Sequence, residues 1–141
     1  GQRTGKNGYV KLWQMLYDRF TRHHNLNNLI WVWNANAPNP DKDITRYEHY
    51  YPGHDYVDVL AADIYQGDYR QSHYEQLLQL ADGRPVALGE IGKVPQPHIL
   101  DQQLQWVWFM IWARYPWEKN SLQDIKSLYA HPRTQTRSEL E

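Results

Sequence analysis

Hydrophobic and polar positions alternate along this chain in blocks whose period switches between about 3.6 and unbroken apolar runs. Over Tyr9 to His24, Val10, Trp13, Leu16, Tyr17 and Phe20 recur at helical spacing with Lys11, Asp18 and Arg19 between them, which predicts a helix. Asn7 or Gly8 is placed to cap its start, and Asn25 and Asn27 mark its end. Leu29 to Trp33 (LIWVW) is a continuous apolar run rich in β-formers and predicts a buried strand. Asn34 to Pro40 then predicts a loop, because two prolines and three asparagines break any regular period. Asp41 to Tyr50 is polar and yields no element. After the turn Tyr51-Pro52-Gly53, Tyr56 to Ile64 predicts a second strand, and Tyr69 to Leu80 a helix with Tyr74, Leu77, Leu78 and Ala81 on one side, closed by Asp82-Gly83. Pro85 to Ile91 predicts a third strand. Leu100 to Val107 is predicted helical, with Trp108 to Trp112 either its continuation or a fourth strand. Leu122 to Tyr129 is predicted as a terminal helix, and Arg133 to Glu141 as a polar tail in which Leu140-Glu141 reads as cloning residue.

Strands that alternate with helices imply parallel pairing and an α/β fold. Size constrains which one. A complete (β/α)₈ barrel takes roughly 250 residues, and this sequence has 141, so a barrel reading is a half-barrel reading.

Charge is nearly balanced, with 15 basic and 16 acidic residues and no basic run longer than two. That argues against a nucleic-acid partner. No apolar stretch approaches the ~20 residues of a membrane span, and the opening GQRTGKNGY lacks the apolar core of a signal peptide. There is no cysteine, which excludes disulfides and thiolate metal sites. The seven histidines show no His-x₃-His pair on a predicted helix, no Gly-rich loop follows a strand into a helix, and no G-x-S-x-G elbow occurs. No metal or cofactor is expected. Seven Trp and eleven Tyr against two Phe stand out. Such rings pair a flat apolar face with a polar tip, which suits sugar rings as well as an aromatic-rich core.

Parallel α/β folds place chemistry at the C-terminal ends of strands. Those ends carry Trp33-Asn34, Asp63-Ile64-Tyr65, Glu90 and the neighbourhood of Trp112. Glu90 follows Val86-Ala87-Leu88 and lies between Gly89 and Gly92, so a carboxylate stands at a buried strand end with room for a group to approach. A structural Glu bonded to backbone or to an arginine fits the same pattern. Asp63 and Tyr65 share a face, from which Tyr65 could donate a hydrogen bond to a neighbouring carboxylate; the plain alternative has Asp63 capping its loop and Tyr65 packing.

Taken in order, LIWVWNAN, YYPGHDYVDVLAADIY, RPVALGEIG and FMIWARYP, with the ending KSLYAHPRTQTRSEL, resemble the C-terminal half of glycoside hydrolase family 26, whose best-known members are endo-β-1,4-mannanases. The resemblance covers nearly the whole chain, residues 1–139, as a partial catalytic domain. It implies strands five to eight of a (β/α)₈ barrel, Glu90 as the nucleophile of a retaining glycosidase, Tyr65 as its hydrogen-bonding support, Asp63 as a neighbouring polar residue and Trp112 as the aromatic floor under the sugar. Trp33 and Asn34 are placed together on one face as further substrate contacts. In the family the acid/base glutamate precedes the first helix seen here, so the chain alone is expected to be inactive. The implied substrate is β-mannan, with β-1,3-xylan or mixed-linkage β-glucan as alternatives within the family. A non-catalytic sugar-binding module is the reading from another class. The resemblance also implies an exported parent enzyme, and the open edges of a half barrel imply a homo-oligomer.

Overall fold

The computed structural model describes residues 6–39 and 46–139, with no account of the side chains of residues 6 and 7. Helix α1 (Lys6–Asp18) runs into a π-helical turn over Arg19–His23 and stops at Asn25, whose φ of 54° turns the chain into the left-handed region. The helix starts at Lys6, so Asn7 and Gly8 lie inside it rather than capping it. Four strands follow: β1 (Val32–Asn36), β2 (Val59–Ile64), β3 (Val86–Ile91) and β4 (Trp106–Ile111). All neighbours pair in parallel, in the order β1-β2-β3-β4. Between them stand α2 (Gln71–Ala81) and α3 (Pro97–Gln102), and after β4 come α4 (Tyr115–Glu118) and α5 (Leu122–Tyr129). The parallel α/β architecture is the one expected from the alternation of periods, and the segment left open between helix and strand, Trp108 to Trp112, falls largely within β4.

Several boundaries differ from the sequence-based expectation. The first strand is Val32–Asn36 rather than Leu29 to Trp33, so Asn34, Ala35 and Asn36 pair with β2 instead of forming a loop. Ladder pairing with Ala61, Ala62 and Asp63 outweighs the poor strand propensity of asparagine. The helix expected over Leu100 to Val107 is only Pro97–Gln102, and the chain turns at Gln103 to enter β4 at Trp106. Gln103, almost fully buried, holds that turn: its amide donates to the Tyr69 carbonyl at 2.9 Å and accepts from Trp106 Nε1 at 2.9 Å. The tail is anchored, not loose. The Arg133 guanidinium donates to the carbonyls of Leu100 and Leu104 near the end of α3, and Arg137–Glu139 forms a 3₁₀ turn. The reading of residues 140–141, and Pro40 with positions 41–45, lie outside the described residues.

The core lies on one side of the sheet. Trp33, Leu60, Ala62, Ile64, Val86, Leu88 and Ile91 face Tyr74 and Leu77 of α2 and the buried Tyr47. Because successive strand residues point to opposite faces, the residues between them (Asn34, Ala61, Asp63, Ala87) form the other side. In β3 this alternation breaks between Leu88 and Ile91. Leu88 and Ile91 are three residues apart yet both sit in the core, while their β2 partners Ala62 and Ile64 are two apart. β3 also holds one extra residue there relative to β4, where Leu88 pairs with Phe109 and Ile91 with Ile111. Such a bulge re-aims a side chain. Here it carries Glu90 to the same side as Asp63, its register partner.

Candidate active site

Of the residues named from the strand ends, Tyr65, Glu90 and Trp112 meet on that second face. The Tyr65 hydroxyl donates to Glu90 Oε2. Trp112 Nε1, one residue beyond β4, donates to the same Oε2 at 3.2 Å and to the Tyr65 oxygen at 3.0 Å. Among the described residues no hydrogen bond reaches Glu90 Oε1. Burial, first, and the hydrogen bond to Glu90 push the Tyr65 hydroxyl up to about 12, so it stays protonated and a donor at any ordinary pH. The Trp112 ring remains half exposed, at 49 %, beside the carboxylate. Tyr115 turns its ring edge to Tyr65, with centroids 6.2 Å apart and an interplanar angle of 81°.

Two glycines give these groups their spacing. A Cβ on Gly89 would stand 2.1 Å from Asn34 Oδ1 and 2.9 Å from the Ala61 Cβ. One on Gly92 would stand 2.3 Å from the Tyr65 carbonyl oxygen. All three distances are inside contact distance, so only glycine lets β3 approach β1 and β2 on either side of Glu90.

Asp63 lies next to this cluster. Desolvation raises its carboxyl to about 6, the charge of Glu90 adds to the rise, and a hydrogen bond with the Asn34 side chain opposes it. Asn34 Oδ1 and Asp63 Oδ1 are both buried acceptors without a partner among the described residues. Buried acceptors of this kind are costly unless a donor reaches them. Beside them a recess of about 80 Å³ is lined by Asn36, Pro38, Asp63, Tyr65, Gln66 and Asp68. Among the described residues no group of three or more His, Cys, Asp or Glu is arranged to hold a metal ion, and no helix is long and apolar enough to cross a membrane.

One expected site residue does not belong here. Trp33 is 0 % exposed and lies on the core side, edge-on to Tyr47 and Tyr51 at 6.2 and 5.3 Å. It cannot share a face with Asn34, because adjacent residues of a strand alternate; it is a core residue with no surface to offer a sugar. Conversely, Asn36, Tyr115 and Asn120 contribute to the site or its support and were missed in the sequence. Asn36 falls in a segment that composition assigns to a loop. The other two follow the last strand, where nothing local indicates how the chain folds back.

The cluster therefore presents one carboxylate, two neutral donors on a single oxygen of it, an exposed indole face and unsatisfied acceptors, arranged on the C-terminal ends of parallel strands. Known proteins carry the same frame. The structure of GH26A from Muricauda sp. MAR_2010_75 superposes with a TM-score of 0.91 at 49 % identity, over 100 % of this chain and 47 % of that one. A β-mannanase from a symbiotic protist of the termite Reticulitermes speratus, complexed with gluco-manno-oligosaccharide, superposes with a TM-score of 0.74 at 34 % identity, over 97 % of this chain and 42 % of that one. The mannan endo-1,4-β-mannosidase of Thermothelomyces thermophilus is 36 % identical over 140 residues, covering 93 % of this chain and 27 % of the relative. The chain thus spans about a quarter to a half of the length of these three proteins, and its four strands are part of a larger (β/α)₈ barrel. The profile of glycosyl hydrolase family 26 matches residues 1–139, nearly the whole length, and this chain belongs to that family.

Proposed function

We propose that these strands supply the nucleophile half of a retaining endo-β-1,4-mannanase, with Glu90 as the attacking carboxylate. The observation that carries this is the convergence of Tyr65 and Trp112 on Oε2 of Glu90. Two donors to one oxygen fix the carboxylate plane. Oε1 is thereby left to attack.

In the proposed reaction a lone pair of Oε1 forms a bond to the anomeric carbon as the glycosidic C–O bond breaks. The departing oxygen takes a proton from a second carboxyl, carried by the part of the family's barrel that these strands do not represent. A retaining pair stands about 5–5.5 Å apart. Water, deprotonated by that second group, then displaces Glu90 from the sugar. Trp112 offers its exposed face to the apolar side of the pyranose.

The test joins this chain to the remainder of a family 26 barrel and measures reducing ends released from β-mannan, with β-1,3-xylan and mixed-linkage β-glucan in parallel. Glu90→Gln is expected to lower kcat by at least about 10³-fold while leaving the fold intact. Activity that survives Glu90→Gln refutes the assignment. The 141-residue chain alone is expected to release no sugar and to self-associate, since β1 and β4 are edge strands and Val107, Trp108 and Met110 of β4 are exposed. A monomer by light scattering would count against the association.

A further inference from the structure

We infer that Asn120 is a positioning residue for the nucleophile, acting by clamping the chain after Glu90 to the chain after Trp112. This rests on the assignment of Glu90 proposed above. The parallel ladder between β3 and β4 ends at Ile91 and Ile111. Glu90 sits just before that end and Trp112 just after it, so no further strand pairing fixes one exit against the other. The exit of β3 toward β2 is held differently, by Gly92 N to the Ile64 carbonyl at 3.1 Å and Lys93 N to the Tyr65 carbonyl at 3.2 Å. Toward β4, one side chain takes the place of the ladder.

Asn120 Oδ1 accepts from Val94 N at 2.8 Å, and Asn120 Nδ2 donates to the Gly92 carbonyl at 2.9 Å. These bonds grip the chain two and four residues beyond Glu90. The same Nδ2 donates to the Tyr115 carbonyl at 2.8 Å. Tyr115 N in turn donates to the Trp112 carbonyl at 2.9 Å, and the Tyr115 ring abuts Tyr65. Both amide hydrogens and the amide oxygen are thus spent on three backbone groups from two different strand exits. The two exits so joined carry the nucleophile and one of its donors, Trp112; the other donor, Tyr65, stands at the exit of β2 and meets this clamp through the ring of Tyr115. A planar amide suits such a clamp, because it offers one acceptor and two donors in fixed directions. The hydrogen bonds of Asn120 all go to backbone groups, and none goes to Glu90. Its effect is on the mutual placement of Glu90, Tyr65 and Trp112, and displacements of about 1 Å in such an arrangement cost about 100-fold in rate.

The test uses the complete barrel, comparing wild type, Asn120→Asp, Asn120→Ala and Glu90→Gln. Asn120→Asp keeps the size and the acceptor but loses both donors and sets a carboxylate against two carbonyl oxygens. Each Asn120 variant is assayed well below its own melting temperature, with the folded fraction verified by circular dichroism. The expected result is a fall in kcat of about 10–100-fold with KM changed less than about threefold, and an equal slowing of covalent trapping at Glu90 by a slow-turnover 2-fluoro mannoside. A merely structural amide would lower the melting temperature and leave kcat per folded molecule within about threefold; that result overturns the inference, as does a loss confined to KM. If Glu90→Gln retains activity, the nucleophile assignment itself fails, and this is distinguished from a failure of Asn120 alone by the wild-type trapping site.

Discussion

Gly92→Ala is expected to cost far more than one methyl group. The added Cβ would stand 2.3 Å from the Tyr65 carbonyl oxygen and 3.1 Å from both Tyr65 C and Cα. A carbon approaches a carbonyl oxygen to about 3.3 Å, so the exits of β2 and β3 must part by about 1 Å. The obstacle is backbone, which has no rotamer to change. Gly92 N to Ile64 O and Lys93 N to Tyr65 O, at 3.1 and 3.2 Å, would both pass beyond bonding range. Two such bonds at about 1 kcal/mol each, with about 1 kcal/mol of overpacking, give about 2–4 kcal/mol. Unfolding entropy of about 2.1 cal/mol/K per residue over 141 residues amounts to about 0.3 kcal/mol/K. The melting temperature of the chain should therefore fall by roughly 7–13 °C, read by thermal circular dichroism or calorimetry. In the complete barrel the same displacement moves Tyr65 relative to Glu90 and should lower kcat by about 100-fold. A melting shift below about 2 °C with unchanged kcat would refute the close approach of the two strand exits.

Three further outcomes are expected. Trp112→Phe keeps an aromatic face but removes the N–H shared by Glu90 and Tyr65, and should cost about 10–100-fold in kcat; a change under threefold would mean that the indole serves only as a platform. Trp33→Ala should destabilise by about 3–5 kcal/mol, because the ring is fully buried, while KM for mannan per folded molecule stays unchanged; a KM effect would restore it to the site. The Asp63 carboxyl, raised from 3.8 to about 6, holds a proton in the native state that the unfolded chain has already released between about pH 4 and 6. Stability thus falls as pH rises through that window, by about 1–2 kcal/mol after allowance for partial solvent screening, and stays lower above it. Asp63→Asn should flatten that slope in melting temperature against pH, and parallel curves would show that desolvation of Asp63 is relieved some other way.

Much of this molecule is determined by local sequence. The apolar run before Glu90 and the glycines around it state a strand that ends on a carboxylate in open space, and the period-two relation of Asp63 and Tyr65 states that they share a face. These signals are local because strand burial and side-chain alternation depend on neighbours one or two residues away. What the tertiary structure alone decided is where a register shifts and which loop returns to which strand. The bulge that brings Glu90 to the side of Asp63 is a comparison of β3 with both its neighbours, and no single strand contains it. Asparagines 34 and 36 read as loop formers until β2 offers their backbones a ladder, and Trp33 reads as a substrate contact beside Asn34 until alternation and the packing of Tyr47 and Tyr51 bury it. Asn120 is an ordinary polar residue after the last strand; only the return of the chain onto the exits of β3 and β4 makes its three hydrogen bonds. The physical reason is the same in each case. Propensity and period are properties of short windows, whereas register, close backbone approach and the partners of a buried amide are set by segments tens of residues apart that compete for the same space.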